Sequence, residues 1–215
     1  MGILDSITAI EILCFLFAVI FLIRDQIYFW KTAPFYLLLV CTTEFYGSYL
    51  ASSRTNNLWL YNIFILFEAA FICYGMYFCL KKYINPKPII FTGFSIIYVV
   101  YLIFVFVYGW EKFNSLTVTV MSVIFVFYSL YYYYLLLKDE NFIEIKYHPE
   151  FWWVAGVIFF YFGSTISNLL YDVFQIKIIE HLSLRYLIFI FLNFILYTIW
   201  TYSFICRAKQ RKLQS

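Results

Sequence analysis

Seven apolar runs, each long enough to cross a bilayer as a helix, occupy most of this chain. They read as about Ile7–Ile23, Pro34–Ala51, Leu58–Leu80, Ile89–Tyr108, Leu116–Leu137, Phe151–Tyr171 and Leu182–Ile205. A hydrocarbon core about 30 Å thick takes about 20 apolar residues at a helical rise of about 1.5 Å per residue. Strands of a membrane barrel would be half as long and would alternate apolar with polar. Short polar breaks separate the runs: Arg24-Asp25, Lys81-Lys82, the stretch Asn85-Pro86-Lys87-Pro88, Lys138-Asp139-Glu140 and His148-Pro149-Glu150. The predicted fold class is therefore all-α: a polytopic integral membrane protein, a seven-transmembrane-helix bundle forming one membrane domain over residues 1–215. Nothing in the sequence repeats internally, and no linker sets off a second domain.

Composition closes off the soluble alternative. Of 215 residues, 65% are hydrophobic and 13% charged. A soluble domain of this size could not hide that much apolar surface, so the lipid bilayer is the expected partner and the cell membrane, multi-pass, the expected location. The basic residues are too few and too dispersed for a nucleic-acid surface. Five cysteines (Cys14, Cys41, Cys73, Cys79, Cys206) lie in or beside apolar runs without a C-x-x-C pair, which reads as packing rather than redox or zinc chemistry. Cys79 and Cys206, at run ends, are weak acylation candidates. His148 and His181 fall outside the runs, so no intramembrane histidine metal site is expected, and no sequence signature calls for a cofactor. Hydrolase, nucleotide-binding and zincin motifs are missing.

Basic residues set the predicted orientation. With the N-terminus outside, the outer segments carry four (Arg54, Lys112, Lys177, Arg185) and the inner segments eleven. Basic loops resist translocation, so the bias predicts N-out/C-in and an odd number of spans. The tail Arg207-Ala-Lys-Gln-Arg-Lys212 is expected to lie against the anionic inner leaflet or simply to enforce topology. Trp59 and Trp110 at outer ends, and Trp30, Trp152, Trp153 and Trp200 at or near inner ends, read as an aromatic belt. Met1–Ile10 carries Asp5 and no Lys or Arg, so the first run reads as a retained helix rather than a secretory signal.

The candidate functional residues are the polar groups inside the runs, because an ionised group at mid-bilayer costs about 2.5–3.5 kcal/mol on insertion scales and turns toward the bundle interior. Glu68 sits near the middle of the third run, with Tyr61 seven positions earlier on the same face and Asn62 one step round. Glu44 lies in the outer half of the second run and Glu11 about one turn into the first, where it reads as reaching the interface. Tyr161, Ser164, Asn168 and Tyr171 share a face of the sixth run, followed by Asp172. Arg185 opens the seventh run as a partner for Glu44, Glu11 or Asp172. These positions predict a polar cavity in the outer half among the first, second, third, sixth and seventh helices, floored by Glu68. The predicted ligand-binding set is Glu44, Tyr61, Asn62, Glu68, Ser164, Asn168 and Arg185. The seventh run has no lysine, so likeness to retinal-binding rhodopsins ends at span count and orientation.

Three readings of function remain at this level. The first is a receptor-like or sensory module that binds a small or lipid-like ligand in the outer-half cavity and signals to a separate cytoplasmic or membrane partner. The second is a membrane-embedded lipid-modifying enzyme with Glu68 and Glu44 as its catalytic acid and base. The third, a transporter or pore subunit, predicts inner-half acids within the spans, which the sequence lacks.

Overall fold

The computed structural model describes residues 4–140, 144–169, 177–179 and 182–214. Within them lie seven α-helices: α1 Leu4–Leu22, α2 Tyr28–Ser52, α3 Leu58–Leu80, α4 Lys87–Tyr108, α5 Ser115–Lys138, α6 Pro149–Leu169 and α7 Leu184–Gln214. A single 3-10 turn, Ile145–Tyr147, precedes α6. Before α7, β1 (Lys177–Ile179) pairs antiparallel with β2 (Leu182–Ser183), Lys177 opposite Ser183. The α3 bounds are those of its apolar run.

Two boundaries differ from the sequence reading. The second run was expected to open at Pro34, yet α2 begins at Tyr28 and carries Pro34 inside it. Proline removes one backbone donor and disfavours a helix before it. Here the first turn places Phe29 and Trp30 wholly in the core, which outweighs that loss. The seventh run was expected over Leu182–Ile205. Leu182 instead belongs to β2, and α7 continues through the basic tail to Gln214.

Interhelix contacts sort the loops into two ends. At one end Arg207 meets Asp25, Lys82 meets Asp139, and the Tyr202 and Ser203 hydroxyls donate to the Lys146 and Pro149 carbonyls. At the other end Asn56 donates to the Glu111 carbonyl, and Asn62 binds the Trp110–Lys112 stretch. Successive helices from α1 to α6 therefore alternate in direction. The first end, rich in Lys and Arg, is called the basic end below. Helix α7 packs along α6 and α1, and α4 lies at the periphery against α3 and α5.

Among the described residues, four helices are long and apolar enough to cross a membrane: α3, α4, α5 and the Tyr186–Leu213 part of α7. Their outer faces expose Phe91, Phe106, Phe127 and Leu137, with Phe106 at 92%. Apolar surface on this scale requires a lipid solvent.

Toward the basic end the interior is a column of aromatic rings. Trp153 stacks on Trp200 (centroids 5.8 Å apart, 10° between planes), and Phe29 meets Trp153 edge-on at 5.1 Å. Tyr36 lies flat on Phe71 at 3.9 Å. Trp30 bridges from Phe29 to Phe204. Glycine admits these rings: a Cβ on Gly156 would stand 2.8 Å from the Trp200 indole, and one on Gly75 would stand 2.9 Å from Phe29. This corrects the belt reading for Trp30, Trp153 and Trp200, which are core residues. Depth along a sequence does not distinguish an indole at the interface from one turned inward at the same level. Trp59, Trp110 and Trp152 do reach the surface, and the Trp152 indole donates to the Lys146 carbonyl.

Candidate ligand-binding cavity

Polar positions on α1, α2, α3, α6 and α7 converge on one cavity of about 200 Å³ above the aromatic column. Its lining includes Glu11, Glu44, Tyr61, Glu68, Ser164 and Asn193, with Tyr36 and Trp200 toward the column. The fifth helix, expected to stand aside, also contributes, through Val118, Met121 and Ser122. The reason lies in side-chain size: Ser122 turns its hydroxyl back onto the Val118 carbonyl at 2.7 Å, so α5 presents a small, internally satisfied face.

The carboxyls are fixed by tyrosines from neighbouring helices. Tyr161 of α6 donates to Glu68 Oε1 at 2.6 Å, and Tyr61 of α3 donates to Glu44 Oε2 at 3.3 Å. Gly47 lies beside the Tyr61 ring and leaves room for its hydroxyl against α2. Glu11 is 3% exposed. Tyr197 stands within reach of its carboxyl, but Oε2 has no hydrogen-bond partner. The expectation that Glu11 reaches the interface is thus corrected: α1 packs against both α2 and α7, and Glu11 faces inward between them.

The predicted set separates into three groups. Glu44, Tyr61, Glu68 and Ser164 line the cavity together. Asn62 and Asn168 are not part of its lining. Asn62 is fully buried and clamps the α4–α5 loop, donating to the Trp110 and Lys112 carbonyls at 2.9 and 2.8 Å while Oδ1 accepts from the Asn114 amide at 2.9 Å. Asn114 in turn caps α5, accepting from the Thr117 amide at 3.1 Å. Asn168 donates to Thr119 Oγ1 at 3.3 Å and ties α6 to α5. The Arg185 side chain, Tyr171, Asp172 and His181 lie outside the described residues. Among the described lining residues there are three carboxyls and no Lys, Arg or His.

A second charged feature lies at the basic end. Asp25, at the α1–α2 turn, receives Arg207 of α7 in a two-pronged contact: Nε to Oδ2 at 2.8 Å and Nη2 to Oδ1 at 2.9 Å. The side chains are 0% and 6% exposed. Asp25 Oδ1 also accepts the Ile27 amide at 2.9 Å, and Arg211 approaches Oδ2 at 3.8 Å. The tail is therefore not a set of four surface charges lying on lipid, because Arg207 is buried and Arg211 leans on the same carboxylate. The sequence signal was weak: Asp25 adjoins Arg24, and both read as ordinary helix-end charges.

Comparison with family models, with curated proteins and with solved structures gives no match. Fold and site together define the class: an all-helical membrane protein with a carboxyl-lined cavity inside its bundle. Among the described residues, no three His, Cys, Asp or Glu side chains gather closely enough to hold a metal ion.

Proposed function

We propose that this protein is a seven-span receptor-like module of the cell membrane, N-out/C-in, that binds a small ligand in the cavity and signals to a separate partner at the basic end. The observation that carries the reading is the continuous packing between the two charged features. Tyr36 and Trp200 line the cavity. They pass through Phe71, Trp153 and Phe29 to Trp30, and Trp30 packs on Phe204, three residues from Arg207. A ligand that shifts the upper rings has rigid neighbours through which to reach the Asp25–Arg207 clamp, because close-packed interiors do not absorb strain locally. The excess of basic residues at the clamp end supports placing that end in the cytoplasm. The cavity's volume favours a small molecule over a lipid.

The test is a thermal-stability screen of the purified protein against small cationic, neutral and anionic compounds. A ligand of the folded state at 100 times its Kd adds about 2.7 kcal/mol of stability. At least one charge class should raise the unfolding midpoint of the wild type but not of a cavity-narrowed Ser164→Leu variant with the same helix content. The reading fails if no compound distinguishes the two proteins.

A further inference from the structure

The cavity's chemistry narrows the ligand class, an inference that rests on the ligand-binding reading above. Glu11, Glu44 and Glu68 bring three carboxyls to one cavity, and the described lining offers no basic side chain. Glu44 and Glu68 accept from Tyr61 and Tyr161, and Tyr197 stands within reach of Glu11. Glu11 is buried and lines the cavity, and its Oε2 has no hydrogen-bond partner. The remaining lining is largely aromatic, including Tyr36, Phe64, Phe160 and Trp200. Ring faces attract cations, most strongly where water is excluded.

We propose that the cavity binds a small organic ammonium ion, with its N–H groups on the Glu11 and Glu44 carboxyls and its short apolar body among the aromatic rings.

A bare metal ion fits the site less well. It needs several oxygens converging on one point, and the described acidic groups line the cavity without gathering into such a cluster. An anion would face three carboxyls. A neutral alcohol could donate to Glu11 but would form no ion pair there. Size sets a further limit: about 200 Å³ is below the range of about 300–1,000 Å³ for pockets that hold drug-sized ligands, which suits a cation with a short alkyl chain.

The experiment uses the full chain in phosphatidylcholine nanodiscs and three matched probes: n-butylammonium, n-butanol and butyrate. Binding is read by calorimetry in potassium buffer and again with sodium chloride added. The expected result is saturable binding of butylammonium alone, weakened at least tenfold in Glu11→Gln and in Glu44→Gln, with helix content and unfolding midpoint retained in at least one of the two. Equal binding of butanol, or butylammonium affinity unchanged in both variants, overturns the inference but leaves a ligand cavity standing. Sodium alone saturating the site and displacing butylammonium also overturns it, in favour of an inorganic cation. If none of the three probes binds the wild type but butylammonium binds Arg185→Gln, then Arg185 is the internal counter-ion and the inference is again overturned. Binding of no probe to either protein removes the ammonium inference, and the broader ligand-binding reading then stands or falls on the stability screen.

Discussion

Arg207 and Asp25 stand 182 positions apart in the sequence and share one buried, two-pronged contact. Removing one partner of such a pair strands the other, at about 3–5 kcal/mol, whereas replacing both with apolar residues can be close to neutral. Asp25→Leu should therefore destabilise strongly, and Asp25→Leu combined with Arg207→Met should recover much of the loss. Reversible unfolding in mild detergent measures both; equal losses in the single and double variants would show that the ion pair itself is not what holds α7 to the α1–α2 turn. Asn62 calls for a different experiment. Its side chain satisfies two loop carbonyls and one loop amide, and each orphaned group costs about 1–3 kcal/mol. Asn62→Leu should lower stability by at least that amount while leaving any cavity ligand's affinity in the surviving folded protein unchanged. A selective loss of binding with stability intact would return Asn62 to the site. These residues also mark the limits of sequence reading. Glu44, Tyr61 and Glu68 were legible because a polar group within an apolar run has to face inward. Asp25 and Arg207 were not, because charges at helix ends are usually solvated. Asn62 was placed at the right depth, but its partners are loop atoms that no periodicity reveals.

Helix boundaries show the same division. The start of α6 follows from His148-Pro149-Glu150: proline suits the first helical position, and an acidic residue suits the positive end of the dipole. The structure adds that His148 Nδ1 accepts the Phe151 amide at 3.2 Å and so acts as the cap. That nitrogen also lies 3.4 Å from Glu150 Oε2, but it cannot accept from the amide and donate to the carboxylate at once. Burial pushes the imidazole below its ordinary value of 6.5, which favours the neutral, accepting form, although Glu150 opposes the shift. The sign follows from linkage. The unfolded chain takes up the proton at higher pH than the folded one, so the cap's contribution is complete above about pH 6.5 and fades as pH falls through the folded value. A helix cap is worth about 1 kcal/mol. Between pH 7.5 and 5 the wild type should lose stability relative to His148→Asn, which keeps a capping acceptor without titrating. Parallel pH curves for the two proteins would rule out the neutral cap. The bounds of α2 and α7 were less legible: burial of Phe29 and Trp30 carries α2 back past Pro34, and the Arg207 contact holds the basic tail in helical form.

At the scale of the whole molecule, a cavity with three carboxyls and a buried ion pair stand at opposite ends of an aromatic column, two polar ends joined by a packed middle. Glu44, Tyr61, Glu68 and Ser164 could be placed from sequence, because depth and helix face can be read from spacing, whereas the inward turn of Glu11 and the α5 wall could not. The column did not, because tryptophan near a span end looks the same whether it faces lipid or core. The proposed signalling role requires that these two ends be coupled. Coupling free energies of about 1–3 kcal/mol are typical and act reciprocally, so a cavity ligand has to alter the clamp end if the clamp end responds to the cavity. The most direct measurement is the distance between spin labels at Arg24 and Leu213, both exposed at the basic end. It would be made by pulsed electron resonance in nanodiscs, with and without a saturating ligand taken from the stability screen. Coupling predicts a ligand-dependent shift in the distance distribution, lost in Ser164→Leu, where the cavity is narrowed. An unchanged distribution at full occupancy would contradict it, leaving a binding protein whose two ends do not communicate.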